Sequence, residues 1–173
     1  PRRVSRGDKS YAAYYVLLKK LSEYRAAHLQ KYEPFKDLPS LFVLGESHSL
    51  PPAHTAVSLN GTEYCVKPKC IIGCRVWHLG NPHNNKYKME FERISNSLER
   101  GVTAVLMFGE IDCRADKGFL PLHKRNGNDL PKAICDLVQS YVEYVTNVFS
   151  QRDITPILYG VPARIVRKGV QSS

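Results

Sequence analysis

Short apolar runs along this chain alternate with longer stretches in which apolar residues recur every three or four positions. Four of the runs are brief enough to be buried strands: Leu41–Leu44, Cys70–Cys74, Thr103–Phe108 and Ile154–Pro162. Residues 50–70 are rich in Pro, Asn, Gly and Thr, a composition typical of a loop, with room for one short strand near Thr62–Val66.

Three stretches show helical periodicity. Residues 10–31 place an aromatic and aliphatic stripe on one helix face, which we expect to pack in a core: Tyr11, Tyr14, Tyr15, Leu18, Leu21 and Leu29. A second helix is predicted over residues 86–100, with Gly101 as its C-terminal cap. The clearest helix runs from Leu130 to Phe149.

Apolar strands that alternate with amphipathic helices predict an α/β protein with a parallel sheet covered on both faces. We therefore expect a three-layer αβα fold with a short parallel sheet. Within what is overall a single domain, residues 1–40 form a basic N-terminal segment with an amphipathic helix, and residues 41–173 form the α/β part.

The formal charge of +9 is uneven, with nine Lys and Arg against four acids in residues 1–40. These cations are scattered rather than clustered, so an ordinary solvated surface is favoured over nucleic-acid binding. The sequence has no apolar stretch of membrane-spanning length, so no membrane span is predicted. Nothing in the pattern indicates an oligomeric state.

The number of cysteines is odd, and the chain is long enough to fold without disulfide bonds, so a disulfide framework is not expected. The five cysteines are Cys65, Cys70, Cys74, Cys113 and Cys135. Paired C-x-x-C knuckles are missing, so buried thiols are favoured over a metal site at residues 65–74, and we predict neither metal nor cofactor. The chain begins at Pro1 and is interpreted as a piece of a longer protein. The odd cysteine count and the lack of a signal peptide in this piece favour the cytoplasm.

The segment Gly45–Ser49 follows the apolar run Leu41–Leu44 directly. A serine on a tight, glycine-led turn at the carboxyl end of a buried strand has its hydroxyl held out of the sheet and surrounded by backbone N–H groups. Ser47 is therefore a candidate nucleophile. The alternative is that a serine in such a turn simply caps the next helix.

Three polar clusters are predicted at carboxyl ends of strands, where ligands bind in open parallel sheets: Gly45–Ser49, Gly73–Asn81 and Gly109–Arg114. We expect them to converge. The third cluster contains three charged residues directly behind a buried strand: Glu110, Asp112 and Arg114. Burying a charge costs free energy unless it is paired with an opposite charge or binds a ligand. They either orient a substrate or form an internal ion pair between Arg114 and one of the two acids that fixes the loop.

Three boxes in this chain resemble those of the SGNH (GDSL-type) hydrolase superfamily: Gly45-Glu46-Ser47-His48, Gly80 within Trp77–Asn81, and Gly109-Glu110-Ile111-Asp112-Cys113-Arg114. The resemblance spans roughly residues 41 to 162. It implies a flavodoxin-like fold, a Ser47 nucleophile, and an oxyanion hole with N–H donors from Ser47 and Gly80. The predicted oxyanion-hole and substrate residues are His48, Gly80, Asn81, Gly109, Glu110, Asp112 and Arg114.

Two features depart from that family. Ile111 stands where the family has an Asn donor, and the Asp-x-x-His box that supplies the base has no match in this chain. Without a base, a serine hydroxyl is a poor nucleophile at neutral pH. Either the base lies in sequence beyond Ser173, with the last strand and helix of the fold, or the chain is a degenerate relative; the first explanation is favoured.

The resemblance implies an acyl ester hydrolase or acyltransferase that works through a Ser47 acyl-enzyme, on a small-molecule or carbohydrate ester, most plausibly an acetylated carbohydrate. The alternative is a catalytically degenerate SGNH-like domain that binds a glycan or a protein.

Overall fold

The computed structural model describes residues 15–21, 23, 24, 27, 35, 37–114, 118 and 129–160. The chain divides into two compact units, residues 1–37 and 38–173.

In the first unit, the described residues between 15 and 27 are helical, as the apolar periodicity predicts. Lys19 and Glu23 form an ion pair one turn apart, with Nζ 3.8 Å from Oε1. The apolar side chains of this helix are not in a core, however. Tyr15, Leu18 and Leu21 are each more than half exposed, so the expectation of core packing is wrong for these three. Tyr11, Tyr14 and Leu29 lie outside the described residues.

The second unit contains a five-stranded sheet in the order β2-β3-β1-β4-β5. Its strands are β1 (Ser40–Gly45), β2 (Ala56–Leu59), β3 (Thr62–Cys70), β4 (Thr103–Met107) and β5 (Thr155–Leu158). Strand β1 pairs in parallel with β3 and β4, β4 pairs in parallel with β5, and β2 is an antiparallel edge strand. The order of the four parallel strands is that of a flavodoxin-like winding.

Three helices accompany the sheet in the described part of this unit: α1 (Val76–Gly80), α2 (Lys86–Ser97) and α3 (Leu130–Ser150). Their apolar faces form one core with the sheet, in which Leu44 and Leu106 contact a cluster that includes Leu79, Phe91 and Phe149, all at most 1% exposed. The predicted α/β class is confirmed, and the arrangement is consistent with a three-layer fold. No helix among the described residues combines the length and apolarity needed to cross a bilayer.

The short strand expected near Thr62–Val66 is part of β3, but the sequence interpretation was wrong about the run Cys70–Cys74 and missed strand β2. Strand β3 ends at Cys70, and the run Ile71–Cys74 is a turn in which Ile72 is 82% exposed and Gly73 has φ of 73°. The missed strand β2 joins β3 through Asn60 and Gly61, both at positive φ. Asn-Gly is the usual signal for a two-residue hairpin, so this element was present in the sequence and overlooked.

The sheet winding reverses at β1, because its two parallel neighbours, β3 and β4, lie on opposite sides of it. Ligands in open α/β sheets bind off the carboxyl ends of the strands at such a point. Here those ends are Gly45, Cys70 and Met107, and Gly45 pairs with Cys70 on one side and with Met107 on the other.

Candidate functional site

Ser47 lies at the carboxyl end of β1, as the sequence predicts, at the start of a short 3-10 turn, Ser47–Ser49. Its side chain is exposed, whereas Ser49 is fully buried and donates a hydrogen bond to the Glu46 carbonyl at 2.7 Å. The N–H groups of Ser47 and His48 have no backbone hydrogen bond among the described residues. An exposed hydroxyl beside free N–H donors is the local geometry that the candidate nucleophile requires.

The strongest link between the first and third boxes is made by Glu46, whose side chain is only 1% exposed. Its Oε1 accepts a hydrogen bond from the Glu110 N–H at 3.0 Å. Its Oε2 is buried with no hydrogen-bond partner among the described residues. Burial raises the pKa of Glu46. The nearby Ile111 N–H opposes this by favouring the charged carboxylate, although its geometry is not that of a hydrogen bond.

Glu110 and Arg114 form a two-pronged ion pair, with Arg114 Nη2 2.6 Å and Nε 2.9 Å from Oε2 of Glu110. The Nδ1 atom of His48 lies 3.9 Å from the same Oε2. The internal ion pair foreseen for this loop is therefore the one between Glu110 and Arg114. It fixes the Glu110 carboxylate beside His48 and Glu46.

Asp112 connects the third box to helix α1. Its carboxylate accepts hydrogen bonds from the N–H groups of Val76 and Trp77, at 2.9 and 3.3 Å. A carboxylate at a helix N-terminus satisfies N–H groups that have no partner within the helix. Burial nonetheless dominates, and the pKa of Asp112 is raised. Asp112 thus fixes the position of α1, the helix that carries Gly80.

Gly80 ends helix α1 and packs against α3. A Cβ atom on Gly80 would lie 3.0 Å from both the side chain and the carbonyl oxygen of Leu137 and 3.3 Å from the Tyr141 nitrogen, so a larger residue here would make α3 shift by a few tenths of an ångström. Asn81 follows, and its side chain accepts a hydrogen bond from the His83 N–H. Both residues have structural contacts here, and their predicted roles toward substrate stay predictions.

Gly109 has φ of 118°, a backbone conformation that favours glycine, and its carbonyl accepts a hydrogen bond from the Cys113 N–H. This bend begins the turn that carries Glu110, Asp112 and Arg114 away from β4.

His78 lies in helix α1. Its Nδ1 accepts a hydrogen bond from the Arg75 N–H at 3.0 Å, and its ring stacks on Tyr87 with centroids 4.0 Å apart. Burial lowers the pKa of His78, which favours the neutral ring. No described histidine is hydrogen-bonded to Ser47. His123 lies outside the described residues.

The sequence interpretation missed the role of Glu46, although that residue stands inside the first box. Glu46, His48 and Glu110 each offer a ligand atom, and these atoms lie within 4.8 Å of one another; within the described part of the chain they are the one such group of three. Of the three thiols at residues 65–74, Cys65 and Cys74 are buried and Cys70 is half-buried. The signal available beforehand was an acidic residue directly behind a buried strand.

No protein-family model matches this sequence, and neither a curated protein nor a solved structure shows significant similarity to it. The functional argument therefore depends on the motifs and on the site geometry described above.

Proposed function

We propose that this chain is a serine-dependent acyl ester hydrolase or acyltransferase of the SGNH type, with Ser47 as its nucleophile. The observation that carries the proposal is the exposed Ser47 at the end of β1, where the sheet winding reverses. The substrate class that the resemblance implies is a small-molecule or carbohydrate ester, with acetylated carbohydrate as the first to test.

The backbone around Ser47 supports this chemistry. Attack on an ester carbonyl creates an alkoxide, and each preorganised N–H donor is typically worth about 3 kcal/mol of transition-state stabilisation. The N–H groups of Ser47 and His48 have no backbone acceptor among the described residues, so they are available as donors. Ile111 supplies no side-chain donor, and the backbone must provide the stabilisation.

Proton removal from Ser47 requires a base. Adjacent side chains on a helical turn point in different directions, so His48 is not positioned for this role and instead lies beside Glu110. His78 is held by Arg75 and Tyr87. In the proposed mechanism the base comes from outside the described residues.

The test is covalent labelling of the natural full-length protein with a fluorophosphonate. We expect the probe to modify Ser47, the variant Ser47→Ala to lose the label, and Ser58→Ala, which changes an exposed serine on β2, to keep it. Both positions are exposed, so neither variant disturbs the core. A folded wild-type protein that takes up no label, or equal labelling of Ser47→Ala, would overturn the proposal.

A second candidate is a catalytically inactive SGNH-like domain that binds a glycan or a protein. It is favoured by one observation, that no histidine side chain among the described residues is hydrogen-bonded to Ser47: His48 lies beside Glu110, and His78 is bonded to the Arg75 N–H. This candidate predicts a folded, unlabelled protein that is retained on an immobilised glycan. Labelling at Ser47 would exclude it.

A further inference from the structure

We propose that Glu46, His48 and Glu110 bind one divalent transition-metal ion, such as Zn²⁺ or Mn²⁺, at the carboxyl edge of the sheet. The three donor atoms lie within 4.8 Å of one another. They come from two segments, the turn after β1 and the turn after β4, which the hydrogen bond between Glu110 N–H and Glu46 Oε1 joins at 3.0 Å.

The buried Oε2 of Glu46 is the observation that points to a ligand. A buried carboxylate oxygen without a partner has lost its hydration without any compensating bond, so such atoms in folded proteins usually contact a water or an ion. The residue is 99% buried, and the oxygen has no hydrogen-bond partner among the described residues. A cation bound here would satisfy this oxygen and offset the carboxylate charge.

Space for an ion is present beside that carboxylate. Glu46, His48 and Glu110 line a small cavity of about 20 Å³, which is enough for one water molecule or one ion. Phe108, Tyr159 and Gly160 form part of its wall. An apolar wall lowers the local dielectric and strengthens the attraction between a cation and the carboxylates.

The donor set favours a transition metal over Mg²⁺ or Ca²⁺. Imidazole nitrogen suits Zn²⁺ and carboxylates suit Mn²⁺, whereas Mg²⁺ and Ca²⁺ prefer a ligand set made of oxygen alone. Ligand atoms about 2.1 Å from a metal lie roughly 3.0–3.5 Å apart, so the donors must approach one another by about 1 Å. The His48 side chain is 45% exposed and can rotate to supply this movement.

The Glu110–Arg114 ion pair is compatible with a bound metal. A carboxylate can accept several bonds at once, so the bonds to Arg114 at 2.6–3.1 Å do not by themselves prevent Glu110 from also binding a metal. Hydrogen-bonded carboxylates are common around metal ligands because the second partner fixes their orientation. Arg114 is in this respect a positioning residue for Glu110.

The test is calorimetric titration of the chelator-treated protein with Zn²⁺ and Mn²⁺, after the exposed thiols Cys113 and Cys135 have been alkylated so that they do not bind Zn²⁺. We expect one ion per chain, a higher melting temperature with metal, and affinity reduced about 100-fold or more in Glu46→Gln and His48→Gln. The matched controls Glu63→Gln and His83→Gln change exposed residues outside the cluster and should bind as the wild type does.

Three outcomes would overturn the proposal: no binding at millimolar metal, unchanged affinity in His48→Gln, or equal affinity for Mg²⁺. His48→Gln alters an exposed side chain, so this arm does not depend on whether Glu46→Gln folds. Ser47→Ala should bind metal like the wild type, so the metal site and the nucleophile proposal can fail independently.

Discussion

Gly45 is the residue on which the geometry of the first box depends most directly. A Cβ atom at this position would lie 2.4 Å from the backbone oxygen of Met107 and 3.0 Å from the Cβ of Ser49. Because Met107 is the partner of Gly45 across strands β1 and β4, relieving the contact requires the two strands to separate by about 1 Å.

The cost of Gly45→Ala follows from that movement. Overpacking of this kind costs about 1–3 kcal/mol, and loss of the hydrogen bond from Glu46 N–H to the Met107 carbonyl, 3.4 Å long, adds up to about 1 kcal/mol. We therefore expect Gly45→Ala to lower the free energy of unfolding by roughly 2–4 kcal/mol, measured as a reduced urea midpoint. Gly160→Ala is the control, because a Cβ there meets no described residue within 4 Å and should change stability by at most about 0.5 kcal/mol. Equal midpoints for the two variants, with unchanged slopes, would refute the reasoning.

Two further predictions concern the acids of the site. Asp112→Ala should lower the free energy of unfolding by about 1–2 kcal/mol in the same urea assay, because it leaves two N–H groups of α1 without an acceptor. The control Asp136→Ala removes an exposed ion pair and should cost less than about 0.5 kcal/mol. Equal losses in the two variants would argue against the capping role of Asp112. Burial raises the pKa of Glu46, so the folded state binds the extra proton and, without metal, wild-type stability should fall as pH rises above roughly 4.3. Glu46→Gln should make this fall smaller and leave the part that comes from Asp112, whose pKa burial also raises, as measured by urea unfolding at several pH values with a chelator present. A stability difference between the two proteins that stays constant with pH would contradict the assignment.

The strands next to the site were predictable because they are short, apolar and bounded by glycine or proline. Strands β1 and β4 were found nearly to the residue, and so was helix α3. Of the edge hairpin, only the Thr62–Val66 part of β3 was predicted and β2 was missed, since half-exposed strands carry a weaker apolar pattern than buried ones. The run Cys70–Cys74 was predicted as a strand because it is strongly apolar, but only Cys70 belongs to one. Its buried residues, Ile71 and Cys74, pack in the core from a turn rather than from a strand.

For the candidate site, the meeting of its segments was predictable, whereas the contacts between its side chains were not. Topology alone predicts that segments after β1 and β4 meet, because neighbouring parallel strands end at the same edge. Which polar atoms satisfy one another depends on side-chain geometry, and sequence patterns do not encode it. The ion pair partner of Arg114 was left open between Asp112 and Glu110, and the structure gives it to Glu110 because Asp112 is committed to the N-terminus of α1.

The three acids of the site differ in how their charges are compensated. Asp112 is used by two backbone N–H groups, and Glu110 is held by Arg114. Glu46 has one oxygen engaged and one oxygen buried without a partner among the described residues, so it is the acid of the three boxes whose charge the described protein compensates least. A buried group in that state binds a proton or binds a cation. Since Glu46 stands next to the exposed Ser47, whichever it binds sets the local charge beside the proposed nucleophile. The metal titration together with the pH dependence of Glu46→Gln distinguishes the two states.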